Sequence, residues 1–292
     1  MRGLSDLISV RKIELIASKL VDNVFSGDYR SVFRGPGIEF DEFRSYTYGD
    51  DIRLIDWNVT SRTGSPYIKT FREERELQVF CILDLSESII QSSGKKSKLE
   101  IEALVFAIVV LSAVLNNDRA GALFFTDRIE QWIGLGKGKK HALSLISSLL
   151  TEEVVGKGSD LSLALSTANR FMKKRSIFFV ISDFKTGNYW HELSLLARKH
   201  DVIAVRIVDD NDINFPKTGL VQLREVENGS ILYANGNSKE FRRAYRNYWL
   251  SHQKQWVKNC SKYGVSRLTV NTKDDVGLEL YKFFQRRKRQ IL

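Results

Sequence analysis

Only two cysteines, Cys81 and Cys260, occur in 292 residues, too few for a disulfide framework. Cys81 lies inside an apolar run and reads as a small core residue, which fits a reducing compartment. The four histidines, His141, His191, His200 and His252, are scattered, and His191-Glu192 is not followed by a second histidine at metalloprotease spacing. They read as surface or capping residues. No apolar run is long enough to span a bilayer. The longest, from Leu104 to Leu115, is interrupted at Ser112 and reads as a buried helix. Asp6, Arg11, Lys12 and Glu14 stand where a secretory signal needs an apolar core, so a cytoplasmic location is expected. Signatures of common enzymes are also missing. The glycines and lysines of G134-L-G-K-G-K-K lack the spacing and final hydroxyl of a phosphate-binding loop, and no G-x-S-x-G elbow occurs. The expectation is a protein without catalytic residues.

At 43% hydrophobic and 27% charged residues, the composition is that of a soluble globular chain with room for one large domain or a domain plus an accessory module. A net charge of +10 raises nucleic acid or an anionic membrane surface as partners. The basic clusters K95-K-S-K, K137-G-K-K, R242-R-A-Y-R and R286-R-K-R are dispersed, however, and no nucleic-acid motif accompanies them. Solvated faces account for most of this charge. Nucleic acid is therefore disfavoured, and an acidic protein partner or a peripheral membrane contact takes the remainder.

Ser5 to Phe25 shows helical periodicity, and a turn-rich zone follows from Gly27 to Gly37. The stretch from Gly35 to Glu76 alternates charges of both signs with Phe40, Phe43, Tyr46, Tyr48 and Trp57. Such a mixture serves either as a salt-bridged packing module or as a partner surface. From Leu77 onward, strands at 77–84, 118–125, 176–182, 201–208 and 265–270 alternate with helices at 98–116, 139–150, 160–173, 189–199 and 275–287. The segment after Phe125 suggests a turn and a short edge strand. This pattern predicts a mainly parallel sheet with helices on both faces. Between Val208 and Val265 the sequence predicts an insertion: a hairpin turning at Asn228-Gly229 and a long helix over 238–261. The expected domains are 1–76 as an accessory module and 77–292 as the main domain, with the insertion at about 209–264.

The run V79-F-C-I-L-D-L-S-E-S-I ends abruptly in Asp84, Ser86 and Ser88. A buried strand that stops there sets one carboxylate and two hydroxyls at the carboxyl edge of a sheet, where open α/β sheets bind ligands. Oxygen ligands with few carboxylates suit Mg2+. The plain alternative is a turn in which Ser86 or Ser88 caps a helix. Two later segments add to the set: Gly158-Ser159-Asp160 before a helical run, and S176-I-F-F-V-I-S-D-F, a second apolar strand ending at Ser182-Asp183. In this order the segments resemble the metal-ion-dependent adhesion site of von Willebrand factor A domains. The resemblance implies a von Willebrand A-like, Rossmann-like fold. It also implies a Mg2+ (or Mn2+) site made by Asp84, Ser86, Ser88, Ser159 and Asp183, with Ser159 in place of the usual threonine. Sharing one cation requires the two strand ends to adjoin, and Asp84→Ala is expected to abolish Mg2+ binding with little loss of fold.

A closer resemblance lies upstream. R34-G-P-G-I-E-F-D-E-F-R-S-Y-T-Y-G-D-D-I-R-L-I-D-W-N-V-T-S-R-T-G, followed by K69-T-F-R-E-E-R-E, is similar to the signature of the bacterial family called domain of unknown function 58. L223-R-E-V-E-N-G-S fits that family's hairpin as well. The resemblance covers nearly the whole chain. It implies a MoxR-type AAA+ ATPase as partner and a role in protein assembly or maturation, with the metal grasping an acidic side chain of a partner or client. A Mg2+-dependent phosphohydrolase and a nucleic-acid-binding protein are the alternatives.

Overall fold

The computed structural model describes residues 10–21, 39–72, 76–90, 97–224 and 231–291. Ile13, Ala17 and Val21, four residues apart, bury one face of the first helix, α1 (Val10–Leu20), in the main core. The rest of the expected Ser5–Phe25 helix and the zone 27–37 lie outside the described residues.

The polar-aromatic segment forms a small antiparallel pair, β1 (Glu39–Ser45) and β2 (Tyr67–Arg72), with a bulge between Phe40 and Glu42. Between them run a 3-10 turn (Ile52–Leu54) and a short helix, α2 (Trp57–Thr63). Charges in this segment serve local geometry. Asp50 accepts from Thr47 N and binds Arg44 through both oxygens, at 2.9 and 2.7 Å. The Arg44 guanidinium and the Thr47 donors hold its carboxyl well below the usual range. Asp56 caps α2 by accepting from Asn58 N and Val59 N, and pairs with Lys69 at 2.5 Å.

The main sheet has the order β10 (Ser266–Asn271), β7 (Asp201–Val208), β6 (Ile177–Ser182), β3 (Gln78–Asp84), β4 (Arg119–Phe125), β5 (Ile129–Gly136). Its central strand, β3 (Gln78–Asp84), is buried from Val79 onward. A strand covered on both faces has no reason to alternate, which is why V-F-C-I-L reads as a continuous apolar run. A helical turn, α3 (Glu87–Ile90), and a long helix, α4 (Lys98–Leu115), follow. Next come β4 (Arg119–Phe125), the antiparallel edge strand β5 (Ile129–Gly136) and α5 (Gly138–Thr151). After α6 (Leu161–Phe171) comes β6 (Ile177–Ser182), parallel to β3. Then α7 (Trp190–Lys199) leads to β7 (Asp201–Val208), parallel to β6.

The inserted region opens with α8 (Asp210–Ile213), followed by the hairpin β8 (Leu220–Arg224) and β9 (Ile231–Asn235). The expected turn at Asn228-Gly229 falls outside the described residues. Helix α9 (Lys239–Lys262) is capped by Ser238, whose hydroxyl accepts from Phe241 N. β10 (Ser266–Asn271) closes the sheet beside β7, and α10 (Val276–Ile291) follows.

Two apolar layers sandwich the sheet. One includes side chains of α1, α4, α5 and α10, the other those of α6, α7 and α9. Cys81 and Cys260 are both free and buried. No described helix is long and apolar enough to cross a membrane.

Of the surface or capping role expected for it, His200 fills the second: it is the C-cap of α7, its backbone N–H donating to Leu196 O. It is buried, and its Nδ1 accepts from Ser176 N at 3.2 Å, so a proton there would break the bond. Burial, then the charges of Lys199 and Arg175, push its pKa below the ordinary value. The unfolded chain therefore takes up this proton first. Its contribution to stability is intact above about pH 6.5 and is lost as pH falls toward the folded-state value. Urea unfolding between pH 7.5 and 5 is expected to show a loss of up to about 1.4 kcal/mol per pH unit across that window, reduced in His200→Gln. An unchanged slope in the variant would assign the acid sensitivity elsewhere.

Candidate metal-binding site

β3 and β6 end side by side, and their terminal residues meet through hydrogen bonds. Asp84, the last residue of β3, accepts from Ser86 N through Oδ1 at 3.0 Å. Its Oδ2 accepts from two hydroxyls of other segments, Ser182 Oγ at 2.7 Å and Ser159 Oγ at 3.0 Å. Ser86 Oγ and Ser88 Oγ stand 3.2 Å apart. Three loops thus converge on one carboxylate at the carboxyl edge of the parallel strands. Asp183 follows Ser182 directly and is buried.

Backbone bonds hold the loop that carries Ser159. Asp160 N donates to Thr126 O, and Glu87 N donates to Lys157 O. Gly156 N donates to Glu130 Oε1 at 2.7 Å, and a Cβ at Gly156 would come within 1.9 Å of Thr126 Oγ1. The absence of a side chain at Gly156 therefore lets this loop lie against the end of β4.

The donor set fits a hard divalent cation. Neighbouring ligands of an octahedral Mg2+ at about 2.1 Å lie about 3.0 Å apart, close to the Ser86–Ser88 and Ser159–Asp84 spacings. Among the described residues no three His, Cys, Asp or Glu side chains gather as a metal cluster. The contacts shown are those of the Asp84 carboxylate with the Ser159 and Ser182 hydroxyls and of Ser86 with Ser88, while the Asp183 carboxylate bonds to Lys98 Nζ and Lys185 N. Burial, then the charge of Asp183, push Asp84 up to about 6 against the pull of its hydrogen bonds. A cation would relieve both causes.

Groups that the motif did not mark surround this set. Glu102, fully buried on α4, accepts from Asp84 N through Oε1 at 3.0 Å, while its Oε2 has no partner among the described residues. Burial and then the charge of Asp84 raise its pKa well above the ordinary range. Lys98, 2% exposed, reaches Asp183 Oδ2 at 3.2 Å and Asp212 Oδ2 at 2.8 Å. Lys185 Nζ also binds Asp212, at 2.6 Å. Burial alone would depress Lys98, but Asp183 and Asp212 outweigh it and raise its pKa. In sequence, Lys98 and Glu102 stand one turn apart in a helix whose other polar residues are Glu100 and Ser112, and V208-D-D-N-D ends β7 in acids as β3 ends in Asp84.

The fold and site define an α/β protein with a mostly parallel six-stranded sheet and a carboxylate-hydroxyl cluster at its carboxyl edge. The chain belongs to the DUF58 family, described as proteins of unknown function, whose model matches residues 42–255. It is 26% identical over 287 residues to the uncharacterized protein Rv1480 of Mycobacterium tuberculosis, covering 97% of this chain and 90% of that one. A Mycobacterium avium protein, MAV169, is 26% identical over 158 residues, 53% of this chain and 93% of its own length. Among solved structures, an aerotolerance-related membrane protein from Bacteroides fragilis is similar at 15% identity and a TM-score of 0.49. That match covers 73% of this chain and 99% of that one. BatB from Bacteroides thetaiotaomicron is similar to the same extent.

Proposed function

We propose that this chain is a von Willebrand A-like, cytoplasmic, non-catalytic adaptor. Asp84, Ser86, Ser88, Ser159 and Asp183 would hold Mg2+ (or Mn2+), and an acidic side chain of a partner would complete the coordination. The observation that carries the reading is the meeting of Ser159 Oγ and Ser182 Oγ on the Asp84 carboxylate, which assembles the donors of three loops. A carboxylate that replaces water on such a cation makes a strong contact of small area in a partly dry cleft. It also makes binding switchable by the metal. The partner proposed from the family resemblance is a MoxR-type AAA+ ATPase, in protein assembly or maturation. A second contact surface is offered by the 39–72 segment, where Tyr48, Ile52, Leu54 and Trp57 are exposed, Trp57 at 69%.

The test is co-purification of the full chain with the MoxR-type ATPase of the same organism, with Mg2+ or EDTA, for wild type and Asp183→Asn. Recovery should depend on Mg2+ in the wild type and be lost in the variant. Equal recovery in every arm would remove the metal mechanism, and sustained phosphatase turnover by the isolated protein would favour the hydrolase alternative.

A further inference from the structure

Arg206 lies in the middle of β7, in the apolar run V202-I-A-V-R-I-V, and is 4% exposed. It shares a sheet face with Val202 and Ala204, the face covered by α6, α7 and α9. Neither its Nε nor its Nη1 has a hydrogen-bond partner among the described residues. Asp183 and Asp212, the nearby acids, are engaged by Lys98 and Lys185. The guanidinium lies over the ring of Trp256, with Cζ 5.6 Å from the centroid. That contact addresses the face of the cation and leaves the hydrogens of Nε and Nη1 unused.

The groups around Arg206 share the same deficit. Trp256 on α9 is 1% exposed, and its Nε1–H has no partner. Tyr189, equally buried at the start of α7, has an unpartnered hydroxyl. His252, one turn before Trp256, has an unpartnered Nδ1. The Phe184 ring joins these walls, with centroids 5.7 Å from Tyr189 and 5.4 Å from Trp256. Arg206 and Trp256 can only donate, and the Tyr189 hydroxyl can donate as well, so the cluster is rich in hydrogens, and its guanidinium has no carboxylate in hydrogen-bond contact among the described residues. Buried polar groups in folded proteins are paired, and a buried charge is strongly disfavoured without a counter-charge. Water could accept these hydrogens but would leave the charge. A group with acceptor-only oxygens and a negative charge satisfies both, through charge-assisted bonds from the guanidinium.

We propose that Arg206, Trp256 and Tyr189 form a binding site for a small oxyanion of the carboxylate or phosphate class. The anion would lie against the N–H edge of Arg206, with the Trp256 indole and the Tyr189 hydroxyl as additional donors. The site is on the face of the sheet behind Asp183 and does not depend on the metal reading.

The test uses the full chain in EDTA, titrated calorimetrically with inorganic phosphate and, separately, with acetate at constant ionic strength. Chloride is the control. The two titrations distinguish a phosphate-type ligand from a carboxylate. Wild type should give saturable one-site binding of at least one of the two anions and none of chloride. Arg206→Gln should weaken it about tenfold or more, the loss expected for a charge-assisted pair. Arg206→Lys, which keeps the charge without the fork, and Trp256→Phe, which keeps the ring without the donor, should each weaken it less. If Arg206→Gln does not fold, these two variants carry the test. Absence of saturable binding in the wild type would overturn the proposal. Unchanged affinity in the folded variants would also do so, by assigning the anion to the basic surface.

Discussion

Asp84→Asn is expected to remove Mg2+ binding while leaving a folded protein that, in EDTA, is more stable than the wild type at pH 7.5. The two effects have one cause. Asp84 is buried beside Asp183, and its carboxyl moves from 3.8 to about 6 on folding. A group raised in this way stabilises the fold fully below its unfolded pKa, and that contribution is lost as pH rises through about 6. At pH 7.5 the charged carboxylate is therefore a burden on the metal-free fold. At about 1.4 kcal/mol for each pH unit of displacement, its removal restores up to about 3 kcal/mol. Asparagine keeps the shape and can still receive Ser86 N–H. Without the charge, divalent affinity should fall by more than about a hundredfold, beyond what loss of an outer-shell partner costs. Calorimetric Mg2+ titration and urea unfolding in EDTA measure the two effects. Intact Mg2+ affinity in Asp84→Asn would sink the site assignment. The geometry also revises the choice of variant: alanine at Asp84 would orphan Ser86 N, Ser159 Oγ and Ser182 Oγ, at about 1–3 kcal/mol for each buried group. Asp84→Ala is therefore not the fold-neutral change the sequence suggests.

What could be read in the sequence follows from how each element is stabilised. β3 and β6 are buried on both faces, so their apolar runs declare themselves and their ends are marked by Asp84 and Ser182-Asp183. Helix α4 is buried on almost every side, which made Leu104–Leu115 visible as a helix too short for a membrane. The β1–β2 pair was hidden. Its strands are separated by the 3-10 turn and α2, and their mixed charges leave no clean alternation. The first-loop motif was legible because its three oxygens lie within five residues. Lys98, Glu102 and Asp212 were not, because they come from α4 and from the segment after β7, and only the sheet order brings them to one edge. Their signals were masked by neighbouring charges, K95-K-S before Lys98, Glu100 before Glu102 and the acids after Val208, whereas Arg206 within β7 is a single polar residue out of place in an apolar segment.

Lys98→Met is expected to be strongly destabilising in a way that Mg2+ partly repairs. Lys98 occupies the first turn of α4, just after the Ser97 cap, where the helix dipole disfavours a cation. It is nevertheless almost wholly buried, held by Asp183 and Asp212. Without its ammonium, Asp212 keeps the Lys185 Nζ at 2.6 Å, but among the described residues Asp183 keeps only the Lys185 backbone N–H, at 3.2 Å, and that lysine's ammonium at 4.0 Å. Removing one partner of a buried pair costs about 3–5 kcal/mol, which lowers the melting temperature by roughly 10 °C for a chain of this size. Because the charges are buried, the loss should persist at high ionic strength. A divalent ion held at Asp183 would supply the missing positive charge, so Mg2+ should raise the melting temperature of Lys98→Met more than that of the wild type. The double variant Lys98→Met/Asp183→Asn separates the two contributions. It should regain stability in EDTA, because the uncompensated charge is gone, and lose the response to Mg2+, because a ligand is gone with it. Thermal unfolding of the wild type, Lys98→Met, Asp183→Asn and the double variant, with Mg2+ and with EDTA, measures that coupling. If Lys98→Met melts with the wild type in both conditions, the lysine bridge is not what balances Asp183, and the charge of the strand edge must be compensated by other groups.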